Sequence, residues 1–345
     1  SAMGDALSLV WNREAAARLD DLIREVRPDV AHLHNIYHHL SPSILPVLRN
    51  HGIPVVMTLH DLRLLCPAIH MLREREICEE CHGGKLYNAV RHKCVKESRA
   101  ASLLAAVETF HQRSRRLYPE TVGTFLCPSR FYRDKYASWG YPAGRLRHLP
   151  NFVDLDTWHP DHLPEVPRDA YLYFGRVSGE KGLRTLLDAH QIWESAHREG
   201  RLDEPPLELL IAGDGPCLGN VKAGAAKRDL ERVSILGPLD LDDLRAALGR
   251  ARFTVIPSEC YENAPMAALE SLAAGLPLVG SDLGGLPELI DDGVTGFVAP
   301  PRDPTALLEA CRKAAALGPE ARTAARSWAE THASRASHMA QLQEI

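Results

Sequence analysis

The chain has 345 residues, 45% of them hydrophobic and 25% charged, an ordinary composition for a globular protein long enough for two domains of roughly 150 residues each. A formal net charge of -5 leaves no global basic field, so nucleic acid is not an expected partner. No apolar run approaches the roughly 20 residues needed to span a bilayer, and the N-terminus lacks the layout of a signal peptide, so a cytoplasmic setting is expected. The opening Ser1-Ala2-Met3 reads as a remnant of cloning.

Short runs of Val, Ile and Leu alternate with helical patterns from about residue 14 to about residue 316, which predicts parallel βα units with both sheet faces covered. In the first half the pattern predicts a helix over Arg13 to Val26, strands over Asp29 to His34 and Ile53 to His60, and a helix near Ala100 to Leu117. A strand over Val122 to Cys127 and a short helix opened by Ser129 complete that half. Leu149-Pro150-Asn151-Phe152 ends the first alternation, and the Pro-rich stretch to Pro167 reads as a linker. The second half predicts strands over Ala170 to Phe174, Leu207 to Ala212, Val233 to Leu236, Phe253 to Pro257 and Leu278 to Ser281. In open α/β sheets the ligand sits beyond the carboxyl ends of the strands, so the loops that follow these segments are the places to search.

Two such loops stand out. Gly175-Arg176-Val177-Ser178-Gly179-Glu180-Lys181-Gly182 joins a strand to a helix near Leu183, and combines mobile backbone N–H groups with two cations beside a helix N-terminus. It reads as a diphosphate site; the alternative is a solvated loop with surface cations. Further on, Pro265 fits the first position of a helix that Gly275 stops. Inside it, Glu270 has only Met266, Ala267, Ala273 and Ala274 three and four positions away, so its carboxylate lacks a local cation and calls for a ligand hydroxyl. Glu262 precedes the helix, where the dipole favours an anion. A capping role for Glu262 and partial solvation of Glu270 are the plainer readings.

Glu262 and Glu270, with seven residues between them, resemble the E(x7)E motif of retaining glycosyltransferases of the GT-B fold, of glycosyltransferase family 4 in particular. Ala212-Gly213-Asp214-Gly215-Pro216, Gly284-Gly285-Leu286-Pro287-Glu288, Pro28-Asp29-Val30 to His34-Asn35, Thr58-Leu59-His60-Asp61, Pro128-Ser129 and Pro150-Asn151 also look like family motifs, in family order, over roughly residues 14 to 316. The resemblance implies two Rossmann-like, doubly wound parallel-sheet domains facing a cleft. These would be an acceptor-side domain over 1–152, a nucleotide-sugar domain over 153–318, and a C-terminal helix over 319–345 crossing back to the first domain. It further implies that Glu270 holds the donor ribose and that Arg176 and Lys181 neutralise the diphosphate. Glu262 and the amides of Asn263, Ala264, Pro265 and Met266 would meet the sugar, Gly175, Gly213 and Gly237 would line the donor site, and His60 would contact the sugar from the first domain.

In families of this kind the leaving phosphate is thought to take the acceptor proton, with retention and no cofactor needed for chemistry. The expected activity is transfer from a nucleoside-diphosphate sugar to a glycan, glycolipid or small-molecule hydroxyl, with a lipid-linked acceptor or peripheral membrane contact among the alternatives. Family members begin with a strand and a Gly-rich loop, whereas this sequence begins with the helix-like Trp11-Asn12-Arg13-Glu14-Ala15. The first domain is therefore expected to be incomplete, and a catalytically silent nucleotide-sugar-binding protein is the competing reading. Among other classes, a nicotinamide oxidoreductase is disfavoured by the lack of a G-x-G-x-x-G after a strand.

Cys66, Cys78, Cys81 and Cys94 form a separate group within an excursion over 66–94. The C(x2)C pair, flanked by one Cys twelve residues upstream and one thirteen downstream, suits a closed structural zinc site, with His82 and His92 as substitute ligands. Four reduced thiols are the alternative, and an iron–sulfur cluster a rarer one. The histidines His32, His34, His38 and His39 are expected to line the cleft rather than hold metal. Arg113, Arg115 and Arg116, with Arg145 and Arg147, form basic spots that could dock an anionic acceptor or simply be solvated.

Overall fold

The computed structural model describes residues 10–37 and 40–345. Ser1-Ala2-Met3 and the pair His38 and His39 lie outside the described residues. Residue contacts divide the chain into two units, one running up to Arg73 and over Ile77–Leu149, the other comprising Glu74–Glu76 and Pro150–Ile345. No helix among the described residues is long and apolar enough to cross a membrane.

The first unit is built on a parallel sheet of four strands, β1 (Ala31–His34), β2 (Val55–Thr58), β5 (Thr124–Cys127) and β6 (Leu146–His148), in the order β1-β2-β5-β6. Helix α1 (Arg13–Val26) starts at Asn12, whose side chain accepts from Ala15 N at 3.0 Å, and ends at Arg27 in the left-handed region. Around the sheet follow α2 (Ile44–Asn50), α3 (Tyr87–Arg91), α4 (Arg99–Ser114), α5 (Leu117–Thr121) and α6 (Arg130–Ser138). Ser129 opens α6 by accepting from Tyr132 N at 3.1 Å. Besides α3, the excursion between β2 and α4 carries a two-residue pair of strands, β3 (Leu72–Arg73) and β4 (Glu76–Ile77).

In the second unit six strands form one parallel sheet: β7 (Ala170–Phe174), β8 (Glu208–Ala212), β9 (Val233–Gly237), β10 (Ala251–Ile256), β11 (Leu278–Ser281) and β12 (Gly296–Ala299). Their order is β12-β11-β10-β7-β8-β9, so the direction of progression reverses between β7 and β10, the switch point of a doubly wound Rossmann-like sheet. Helices α7 (Leu183–Arg198), α8 (Leu218–Lys227), α9 (Leu241–Arg250), α10 (Met266–Ala273), α11 (Pro304–Ala315), α12 (Pro319–His332) and α13 (Arg335–Glu344) complete it. All five residues of β7 are buried, which is why this strand reads as an unbroken apolar run. Tyr171 stacks on Phe253 with ring centroids 5.1 Å apart, joining β7 to β10 at the switch. The Tyr171 hydroxyl pairs with His190 at 2.9 Å and His190 with Glu194 at 3.1 Å. The Glu194 carboxylate in turn accepts from the amides of Glu231 and Arg232 just ahead of β9, so a buried polar chain is satisfied from end to end. The segment 319–345 forms two helices rather than one, broken at Ala333 and Ser334, and α12 packs on α10.

Candidate functional site

The loops after β7 and β10 leave the sheet on either side of the switch point and meet. Gly182 sits at φ +72, and a Cβ there would lie 1.8 Å from the Pro257 carbonyl oxygen, so only glycine lets the two loops touch. Glu259 N donates to Glu180 O at 2.7 Å across the same junction. Gly213, after β8, approaches Gly175 equally closely, and Gly213 N donates to Gly237 O at 2.7 Å. The strand ends carrying Gly175, Gly213 and Gly237 are thus stitched side by side.

This junction brings two motifs together over a long stretch of chain. Lys181 Nζ donates to Glu262 Oε1 at 2.6 Å, and Ser258 donates to the same oxygen. Burial disfavours the charged amine, but the Glu262 carboxylate outweighs it and holds the Lys181 pKa above its usual value. Gly285 N donates to Glu262 O at 2.8 Å, fixing the backbone at that residue. Pro265 is extended (φ -65, ψ 132) and caps α10 rather than opening it, so the helix proper begins at Met266. Asn151 donates to Ala264 O at 3.2 Å. Arg176 is exposed, with its carbonyl held by the Tyr173 hydroxyl at 2.6 Å.

Glu270 differs from Glu262. It lies half-buried on α10, and no hydrogen bond or ion pair reaches its carboxylate among the described residues. Burial raises its pKa, with no cation opposing. Glu259, which sequence reasoning did not select, is 1% exposed and accepts from Thr185 Oγ1 at 2.7 Å. Its carboxylate lies beneath the loop junction and joins it to α7. Its position next to Ser258 in a strand-end loop was the only signal available.

In the first unit, His60 follows the end of β2, and its Nε2 lies 2.7 Å from His34 Nδ1. The His32 and His34 rings are 4.2 Å apart, and His32 Nε2 is 2.8 Å from Thr58 Oγ1. Burial lowers the pKa of both His34 and His60, and the neighbouring His34 lowers His60 further, which favours neutral imidazoles. The turn after His60 is anchored from α4. Arg63 and Glu108, 5% and 3% exposed, form a buried ion pair, Arg63 Nη1 donates to Pro67 O at 2.6 Å, and Arg113 Nη2 donates to Leu65 O at 2.6 Å. Arg113 therefore braces a turn rather than presenting a cation to an acceptor. Arg145 likewise donates to Pro119 O at 2.6 Å.

Cys66, Cys78, Cys81 and Cys94 all line one cavity of about 20 Å³ in the first unit. The thiols are free. As they stand, no three His, Cys, Asp or Glu groups among the described residues are arranged to hold a metal ion, so the expected zinc site is not preformed. His82 packs on Trp139, and His92 lies 3.0 Å from Glu80 and 2.8 Å from Arg73, so neither substitute ligand turns to the cavity.

Residues 6–157 match the family described as Glycosyltransferase Family 4, and residues 168–316 match the one described as Glycosyl transferases group 1. Between them the two matches cover most of the chain, which is that of a glycosyltransferase of the family 4 kind. It is 28% identical over 291 residues to glycogen synthase of Mycobacterium tuberculosis, covering 84% of this chain and 60% of that protein. It is 30% identical over 233 residues to the GDP-mannose-dependent alpha-(1-6)-phosphatidylinositol monomannoside mannosyltransferase of Mycolicibacterium smegmatis, covering 60% of this chain and 57% of that one. The chain thus spans about 60% of the length of the curated relatives it matches. Among solved structures, HepE of Anabaena in complex with UDP superposes with a TM-score of 0.70 at 17% identity, over 95% of this chain and 80% of that one. That likeness identifies the fold as GT-B, and the two parallel-sheet units agree with it.

Proposed function

We propose that this family member transfers a sugar from a nucleoside-diphosphate sugar to an acceptor hydroxyl with retention of anomeric configuration. The observation that carries the reading is the division of labour between two carboxylates at one switch point. Glu262 is occupied by Lys181, while Glu270 is half-buried and has no described partner. A carboxylate left in that state is matched by a pair of ligand hydroxyls, and the cis-diol of a ribose supplies one. The UDP in the HepE complex agrees with a donor of this class.

In this reading Arg176 and Lys181 meet the diphosphate, and Gly237, left-handed at the end of β9, lies where the base would rest. Glu262, the backbone N–H groups of Asn263, Ala264 and Met266, and Pro265 between them meet the sugar. His60 of the first unit, held neutral by burial, is proposed as a hydrogen-bonding partner of the sugar rather than a charged one. As the glycosidic bond to the phosphate breaks, negative charge grows on the leaving diphosphate. Cations fixed beside it stabilise that charge more in the transition state than in the ground state. Lys181 is already oriented by Glu262, so little reorganisation is needed at the moment of reaction.

The test is a thermal-shift screen against UDP, GDP, ADP, TDP and NAD, followed by turnover with the sugar conjugates of whichever stabilises the protein, the product anomer being read by NMR. Stabilisation by one nucleoside diphosphate together with an α-product from an α-donor is expected. A β-product would remove the retaining mechanism. Stabilisation by NAD alone would remove the donor assignment, and binding without turnover would leave a nucleotide-sugar-binding protein.

A further inference from the structure

Between β2 and α4 the chain makes a long excursion with little of the apparatus that orders the rest of the molecule. Around the later cysteines the buried apolar cluster is small, joining Cys81, Leu86 and Ala89 to Ala106 of α4, with Val90 and Cys94 packed against it. The excursion's only sheet is the two-residue pair of β3 and β4. Of the thirteen non-glycine residues with left-handed backbone among those described, seven fall here: Ile69, Met71, Glu74, Arg75, Lys93, Lys96 and Glu97. Such conformations persist only where the surroundings enforce them.

The four cysteines converge on the middle of this segment. Cys66, Cys78, Cys81 and Cys94 line one cavity whose remaining walls include Ala68, Met71, Leu72, Ala89 and Trp139. About 20 Å³ is room for a single small ion or a single water. The apolar walls offer a water no second hydrogen-bonding partner, whereas four sulfurs suit a thiophilic ion. Two of the sulfurs are also met by main-chain donors. The amides of Ala68 and Met71 point to Cys66 and that of Ala89 to Cys81. Amide donors on sulfur are the outer-shell support that metal-bound thiolates use.

We propose that this cavity is a structural Zn²⁺ site held by Cys66, Cys78, Cys81 and Cys94, with neither His82 nor His92 as a ligand. The C(x2)C pair supplies a two-ligand turn, and Cys66 and Cys94 reach it from either side. Binding converts four thiols to thiolates, giving a tetrahedral ZnS4 centre of net charge -2 and releasing four protons. With four protein ligands no position is open for substrate. The sulfurs close in around the cation, whose charge offsets the repulsion among the thiolates left when the protons leave. Cys66 lies in the turn that Arg63 and Arg113 hold, six residues after His60, so the ion fastens the excursion to that turn.

The deciding experiment uses the whole chain purified without chelator. Elemental analysis should find one zinc per chain, released in step with modification of four thiols by a mercurial. Refolding with Co²⁺ should give the intense thiolate-to-cobalt absorption and the tetrahedral d–d bands of an all-sulfur site. Cys81→Ser should lose the zinc, and His92→Ala should retain it. Zinc-free protein with four freely reactive thiols, four hydrogens missing by intact mass as two disulfides, or bound iron with visible absorption would each overturn the proposal. Nucleotide stabilisation measured on the same preparation depends on the second unit, so failure of the zinc site and failure of the donor reading are separate results.

Discussion

The loop junction of the second unit and the turn after His60 in the first unit both hold candidate functional groups, but by opposite means. At the switch point, backbone does the holding. Neighbouring parallel strands end side by side, glycines let their loops touch, and amide-to-carbonyl bonds such as Gly213 to Gly237 lock the contact. After β2, side chains do it, with arginines on carbonyls and a buried ion pair taking the place of a ladder. A backbone-built site tolerates changes in most side chains but not in its glycines. A side-chain-built one fails when a single charged group is removed.

The largest effect should come from the side-chain-built turn. Arg63→Met strands Glu108 in the interior, and about 3–5 kcal/mol of the first unit's stability should disappear in denaturant unfolding. The double change with Glu108→Leu should recover much of it. A loss confined to a few tenths would mean that the pair does not brace the turn. Next, Gly182→Ala drives a methyl into the Pro257 carbonyl from a left-handed backbone, and about 2–3 kcal/mol of second-unit stability should be lost, together with nucleotide binding. Wild-type melting of this variant would show that the loops part easily, which would erase the contrast between the two regions.

Glu270→Ala tests the carboxylate that the backbone presents rather than the scaffold itself. Removing hydrogen bonds to a charged acceptor should cost about 1.5–3 kcal/mol of nucleotide affinity, roughly ten- to a hundredfold, at unchanged melting temperature of the free protein. Unaltered affinity by calorimetry would detach Glu270 from the donor.

The smallest effects are in pH. Because burial raises the Glu270 pKa, the carboxylate protonates above the usual range as pH falls, and a ligand hydroxyl donating to it favours the ionised form. Nucleotide affinity should therefore weaken as pH is lowered towards that raised value, and Glu270→Gln should flatten the dependence. The desolvated carboxylate itself works against the fold as pH rises through the same window. His34 and His60 behave in the other sense. Their folded pKa values lie below 6.5, so the neutral pair favours the fold near neutrality, and that contribution fades as pH drops below 6.5. Titration by NMR at or above 6.5 would contradict it.

Much of this was legible from residues alone. Helix Arg13–Val26 and strands Ala170–Phe174 and Leu278–Ser281 have the bounds their patterns predict, because strong amphipathic or fully apolar runs leave little choice. Strands β6 and β12 were not expected. Leu146–His148 carries Arg147 and His148 on a sheet edge, and Gly296–Ala299 opens with glycine, so neither shows an apolar run. The isolation of Glu270 could be read from its small neighbours on the helix. The pairing of Glu262 with Lys181 could not, since 81 residues separate them and only the doubly wound order makes them adjacent. Local spacing places Glu262 at a helix start, whereas the fold gives it a cation instead.

The second unit is also tied shut on itself. Val153 N donates to Ala333 O at 2.9 Å, and His338 Nδ1 lies 2.7 Å from Pro150 O, so the final helices hold the very residues with which the unit opens. Its beginning and its end are neighbours in space. A protein engineer could join them with a short linker and reopen the ring elsewhere, yielding a circularly permuted second unit. Trimming α13 would instead unfasten the strap at Pro150, and a second unit cut from this chain should keep its tail.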